Sequence, residues 1–94
     1  MTPHWTRSAI ADLAEARGYI DRDDPDAARA LASRILAAVD LLIQTPGLGR
    51  PGRVLQTREL TVARTPYLIV YRVRRRRLEL LRVLHQHRQW PAGR

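Results

Sequence analysis

The sequence predicts an α+β fold: a short N-terminal strand, then an antiparallel helical hairpin packed on a small antiparallel β-sheet. Three observations carry the prediction. A long apolar stripe at helical spacing, Ala28 to Leu42, follows an Asp24-Pro25 start signal. A shorter stripe precedes it. β-branched and aromatic residues then crowd Tyr67 to Val73 and Leu80 to His85, on either side of a polar turn.

His4-Trp5-Thr6 is the expected N-terminal strand, and Ser8 the expected cap of the first helix. Ile10, Leu13, Ala14 and Ile20 recur at helical spacing, interrupted by Arg17, and Asp21 to Asp24 form a polar loop. In the second helix Asp24 caps the free amides, Pro25 fits the first helical position and Asp26 suits the positive end of the dipole. Ala28, Leu31, Ile35, Ala38, Val39 and Leu42 make its apolar face, and Thr45-Pro46-Gly47 ends it.

Arg58 to Arg64 alternates as a strand with Leu60 and Val62 on one face, and Thr65-Pro66 turns the chain into the strand Tyr67 to Val73. Arg74 to Arg77 reads as a solvated hairpin tip, or as a dedicated phosphate clamp. The middle strand is apolar on both faces: Tyr67, Ile69, Tyr71 and Val73 on one, Leu68 and Val70 with Arg72 on the other. Such a strand is buried on both faces, and two helices cover only one. Either a partner chain covers part of the second face or the C-terminal tail folds back over it.

The 94 residues make one domain, 1–94, with room for one modest core. With 45% hydrophobic and 28% charged residues, the chain is globular rather than disordered. The absence of Cys excludes disulfides, thiolate catalysis and cysteine-based zinc sites. No apolar run is long enough for a membrane span and no signal-peptide order opens the chain, so the expected compartment is the cytoplasm. A net charge of +8 from 17 arginines, without a lysine, favours an anionic partner: nucleic acid or an acidic protein. GC-rich coding accounts for the choice of Arg over Lys.

No glycine loop has the form that cradles a phosphate, and His85-Gln86-His87 lacks the acidic company of a metal site; no metal or cofactor is expected. RNA cleavage would need proton transfer, for which His85 is the candidate, and cations on the phosphorane, for which Arg64, Arg72, Arg82 and Arg88 are available. Arg72 and Arg82 are expected on one sheet face. The plainer reading has His85 and His87 end a strand and contact the tail or a partner.

Taken in order, Asp12-Leu13, Tyr19-Ile20, Pro25-Asp26-Ala27-Ala28, Arg58-Glu59-Leu60, Pro66 to Val73 and Arg82-Val83-Leu84-His85 resemble the RelE/ParE superfamily of type II toxin–antitoxin toxins, from Trp5 to Pro91. The resemblance implies a toxin that arrests growth and forms a hetero-oligomer with a small acidic antitoxin. RelE-like members are ribosome-dependent mRNA endonucleases, whereas ParE-like members poison DNA gyrase without hydrolysis. At positions where RelE enzymes carry cations stand Glu59, Thr61 and Leu68, and the ending Arg82 to His85 is similar to ParE. A ParE-like gyrase poison is therefore expected. The alternatives are an mRNA interferase working through His85, Arg82, Arg72 and Arg64, or a basic nucleic-acid-binding module, which the few aromatics disfavour. Expected target contacts are Arg82, His85, His87, Arg88 and Trp90. Leu68, Val70 and Arg72 are expected to meet the antitoxin.

Overall fold

A computed structural model describes residues 1–88, 90 and 91; Gln89, which falls within the expected target-binding tail, and residues 92–94 lie outside the described residues. Strand β1 (Thr2–Trp5) leads into helices α1 (Arg7–Asp21) and α2 (Pro25–Gln44). A short 3-10 turn, Pro46–Leu48, then precedes β2 (Arg50–Pro51), β3 (Arg58–Thr61), β4 (Tyr67–Arg74) and β5 (Arg77–His85). The strands form one sheet in the order β1-β5-β4-β3-β2. The expected α+β architecture is present, but the sheet is mixed and wider than anticipated. β1 joins β5 in parallel, pairing His4 with Glu79 and Trp5 with Leu80, while β2 to β5 are antiparallel.

Helix α2 forms as its sequence dictates. The Asp24 side chain accepts from the Ala27 amide at 3.0 Å, and the six residues of the expected stripe are its buried ones. Helix α1 differs on two points. Thr6, not Ser8, is the cap: its extended backbone leaves β1, and its hydroxyl oxygen accepts from the Ala9 amide at 3.2 Å. The buried face is Ala9, Asp12 and Ala16, whereas Ile10 is exposed. Small residues let α1 lie close to the sheet, and the contacts of Asp12 fix its rotation.

Those contacts arise where β1 stops. Beyond Leu80, β5 has no neighbour on that side, and its register with β4 shifts between Val70 and Tyr71. The Thr6 hydroxyl donates toward the carbonyls of Leu80 and Leu81, at 2.9 and 3.1 Å. Six residues on, the Asp12 carboxylate accepts from the Val83 amide at 3.0 Å and takes the Arg82 guanidinium in a fork, at 2.6 and 2.9 Å. An open strand edge and a cation are satisfied by one helix.

The core lies between helices and sheet. Ile35, Leu42, Ile69, Tyr71, Leu78 and Leu80 are fully buried there. The Tyr71 hydroxyl donates to the Pro46 carbonyl at 2.7 Å and accepts from the Gly49 amide at 2.8 Å, which ties the chain after α2 to the central strand. A second cluster on the far face joins Leu68, Val70 and Leu84 with Leu81 and Trp90. Trp90 of the returning tail thus covers part of this face, beside Leu81 and Leu84 of β5. Strand β3 stops at Thr61, short of the expected Arg64, because Arg64 adopts a left-handed backbone with φ 62°. Of the expected turn Arg74 to Arg77, only Arg75 and Arg76 form the tip, since Arg74 and Arg77 pair.

A Cβ at Gly49 would meet the Tyr71 hydroxyl at 2.6 Å and the Glu59 carbonyl at 2.9 Å, whereas one at Gly47 would meet nothing. Gly49→Ala should cost about 1–3 kcal/mol in urea denaturation and Gly47→Ala close to nothing. Equal midpoints for the two variants would contradict this packing.

Candidate functional site

Cavities cluster on the flank where α1, α2 and the ends of β3 to β5 meet. One of about 240 Å³ is lined by Asp12, Glu15, Tyr19, Tyr67, His85 and Arg88 among others. Its neighbour, about 330 Å³, shares Tyr19, Tyr67 and His85 and adds Leu31, Arg34 and Arg64. A third, about 210 Å³, shares Arg34 and Arg64 and is otherwise apolar apart from Thr61, with Leu41, Leu48 and Leu60. Together they trace a groove along α2 in which two arginines interrupt apolar walls.

His85 pairs with Tyr67 across the sheet and stands edge-on to its ring, with centroids 5.6 Å apart; His87 is tilted against His85 at 5.4 Å. Burial, with the nearby Glu15 carboxylate and Tyr19 ring, pushes the Tyr67 phenol up from its ordinary value, so it remains a neutral hydrogen-bonding group at physiological pH. Arg88 lies 3.6 Å from Glu15, an exposed pair of little energetic weight.

The other expected residues lie elsewhere. Arg82 is held by Asp12, whose hydrogen bonds raise the guanidinium above its usual range against the cost of burial. Its carbon sits 5.5 Å from the centre of the Trp90 ring. Arg72 pairs with Glu79 at 2.5 Å, five residues along β4 from Tyr67 and so roughly 16 Å away by strand rise. By register Arg72 and Arg82 do share a face, yet each is matched to its own carboxylate. Of the candidate cleavage set, His85 and Arg64 line one cavity while Arg72 and Arg82 stand apart. Of the candidate target contacts, His85, His87 and Arg88 are exposed together, and Arg82 and Trp90 face the second cluster. Leu68 and Val70, expected at the antitoxin interface, are buried by Leu84, Leu81 and Trp90 within the chain itself, so that face is not open.

Glu59 is buried, and four of its contacts come from Arg53, including the backbone amide at 2.9 Å; Arg50 adds a fifth at 3.2 Å. Burial alone would raise this carboxyl, but the Arg53 amide and guanidinium, with Arg50, outweigh it and hold Glu59 below its ordinary value. Sequence reading missed the groove itself: Arg34, Tyr19 and the exposed Leu41 and Leu48. Its available signal was apolar residues lying off the main stripe of α2.

The described residues thus form a helical hairpin on a mixed five-stranded sheet, with a groove along α2 and the candidate cleavage residues dispersed. The family model of the ParE toxin of type II toxin–antitoxin systems, parDE, matches residues 4–90. Y4kP of Sinorhizobium fredii, named as a toxin, is 51% identical over 93% of this chain and 90% of its own. Toxin RelE2 of Caulobacter vibrioides is 38% identical over 89% and 93%. Among solved structures, a chain of the chromosomal ParDE system from P. aeruginosa is similar with a TM-score of 0.83 and 31% identity, over 90% of this chain and 95% of that one. The chain belongs to the ParE toxin family of type II toxin–antitoxin systems. No helix of the described residues is long and apolar enough to cross a membrane.

Because its folded pKa is depressed, Glu59 contributes stability that is complete above the ordinary carboxylate value near 4.5 and is lost as pH falls through the lower folded value. Glu59→Gln should lose about 1–3 kcal/mol at pH 7 and show a smaller further loss on acidification below pH 4.5 than the parent. Parallel stability curves for the two proteins would show that the carboxylate is not the linked group.

Proposed function

We propose that this toxin arrests growth in the cytoplasm by binding and poisoning DNA gyrase, without hydrolysis of its own, and that a cognate acidic antitoxin neutralises it in a hetero-oligomer. One observation carries the non-hydrolytic part. The positions that resemble the cationic positions of RelE enzymes hold Glu59, Thr61 and Leu68, and both Glu59 and Leu68 are buried in fixed contacts. Neither can be turned to a phosphorane, whose electrostatic stabilisation is commonly the largest catalytic contribution. His85, His87 and Arg88, exposed together at the end of β5, are the part of the tail that meets the target.

The groove supports the antitoxin reading. Apolar walls around Arg34 and Arg64 suit an amphipathic segment carrying acidic residues among its apolar anchors. On this reading the segment docks along α2 and β3; reaching Leu68 or Val70 would require Trp90 of the tail to be displaced first, whereas Arg72 is partly exposed.

A second reading, ribosome-dependent mRNA cleavage, draws on one specific observation: His85, the proton-transfer candidate, and Arg64 line the same cavity. Purified toxin in a gyrase supercoiling assay beside a ribosome-dependent cleavage assay separates the two. The expected result is inhibition of supercoiling with intact mRNA, and mRNA cleavage that His85→Ala alone stops would install the second reading instead. For the antitoxin, Arg34→Glu/Arg64→Glu should slow association at least tenfold at low salt while leaving the circular dichroism spectrum unchanged. Unaltered association would move the interface elsewhere.

A further inference from the structure

The positive charge of this chain is segregated. Residues 1–49 hold five arginines and seven carboxylates, whereas residues 50–94 hold twelve arginines and two carboxylates. Register places the excess. On the sheet face turned away from the helices, Arg72 and Arg74 of β4 follow Val70, Arg77 pairs with Arg74, and Arg50 lies beside Glu59, with Arg53 against the same carboxylate. Each carboxylate is shared between two guanidiniums: Glu59 by Arg50 and Arg53, Glu79 by Arg72 and, at 4.0 Å, Arg74. Every such group keeps a surplus cation. The side chains of Arg50 and Arg74 are 59% and 63% exposed, so the surplus faces water.

The hairpin tip adds an independent observation. Arg75 and Arg76 are both left-handed, with φ 54° and 61°, in a two-residue turn whose geometry favours Asn-Gly. A bulky side chain is sterically strained there. The turn thus holds two exposed cations in a conformation their side chains disfavour. Beneath it a cleft of about 400 Å³ is lined by Arg74, Arg75, Arg77 and Glu79, ample for a phosphate group.

We infer that the arginine-bearing sheet face and its Arg74–Arg77 tip form a binding surface for the phosphate backbone of duplex DNA, independent of sequence. Guanidinium forks match phosphate oxygens in pairs. A single strand would need a row of exposed rings to stack its bases, and among the described residues this face presents the His4 imidazole beside Glu79 but no such row: Tyr71 is buried under the helices, Tyr67 points to the groove side, and Trp90 packs on the cluster of Leu68, Val70 and Leu84. The surface is separate from the α2 groove and does not depend on whether gyrase or the ribosome is the target.

The test is fluorescence anisotropy of the full chain with a labelled duplex of about 20 bp, between about 50 and 200 mM salt. Arg75→Asn/Arg76→Gly supplies the preferred turn, so its Tm should rise while its salt slope falls by roughly 2 and its affinity drops at every salt. Arg17→Gln/Arg22→Gln removes the same charge from α1 and its end and should keep the parental slope. Arg74→Gln/Arg77→Gln is the second variant on the face, for use if the turn exchange perturbs folding. Absence of duplex binding by the parent overturns the inference. So do equal losses in face and helix variants, or preferential binding of the matching single-stranded DNA or RNA.

Discussion

Everything in this fold is arranged around a strand that cannot tolerate water on either side. Strand β4 places Ile69 and Tyr71 against the helices and Leu68 and Val70 on the opposite face, all buried. A chain of this length has too few helices to cover both sides of a sheet. The protein resolves the constraint asymmetrically. Its hairpin shields one face, and on the other Leu81, Leu84 and a returning Trp90 shield only the half nearest the end of β5. The remaining half of that face carries Arg72, bound to Glu79, and the more exposed Arg74.

That asymmetry explains how charge and stability coexist. The cations that stand nearest the core are tied to carboxylates: Arg82 to Asp12, Arg53 to Glu59, Arg72 to Glu79. Those farther out have partial partners or none recorded among the described residues, and they set the outward character of the molecule. On the helix side the reverse holds, with apolar walls and two isolated arginines in a groove. The two broad surfaces of the protein therefore offer different chemistry, one suited to an amphipathic acidic segment and one to a polyanion.

How much of this the sequence disclosed depended on how local the cause was. Helix α2 was legible to the residue, because its cap and stripe are set within its own span. The burial of β4 on both faces was likewise written in its composition. Helix α1 was read with the wrong cap and an inward face right only in part, with Leu13 and Ile20 packed on the core but Ile10 and Ala14 exposed, since Thr6 and Asp12 act on carbonyls and an amide more than seventy positions away. The parallel pairing of β1 with β5 has no local signature at all. Neither has the groove, where Arg34 and Arg64 meet only after α2 and the β3–β4 turn have packed. The candidate tail residues were identified as a stretch of sequence, but an extended strand sends neighbours to opposite faces, and His85 and Arg82 separate accordingly.

Pairing the first strand with the last also sets a timetable for synthesis. Thr6 finds Leu80 across 74 positions and Asp12 finds Arg82 across 70. At about 5–20 residues per second, the partner of Asp12 is made roughly 4–14 s after Asp12 itself. Until β5 has been made, β1 and Asp12 lack their partners and the helical hairpin lacks a closed sheet to rest on. The sheet can be closed only after synthesis of its last strand, because β5 lies between β1 and β4.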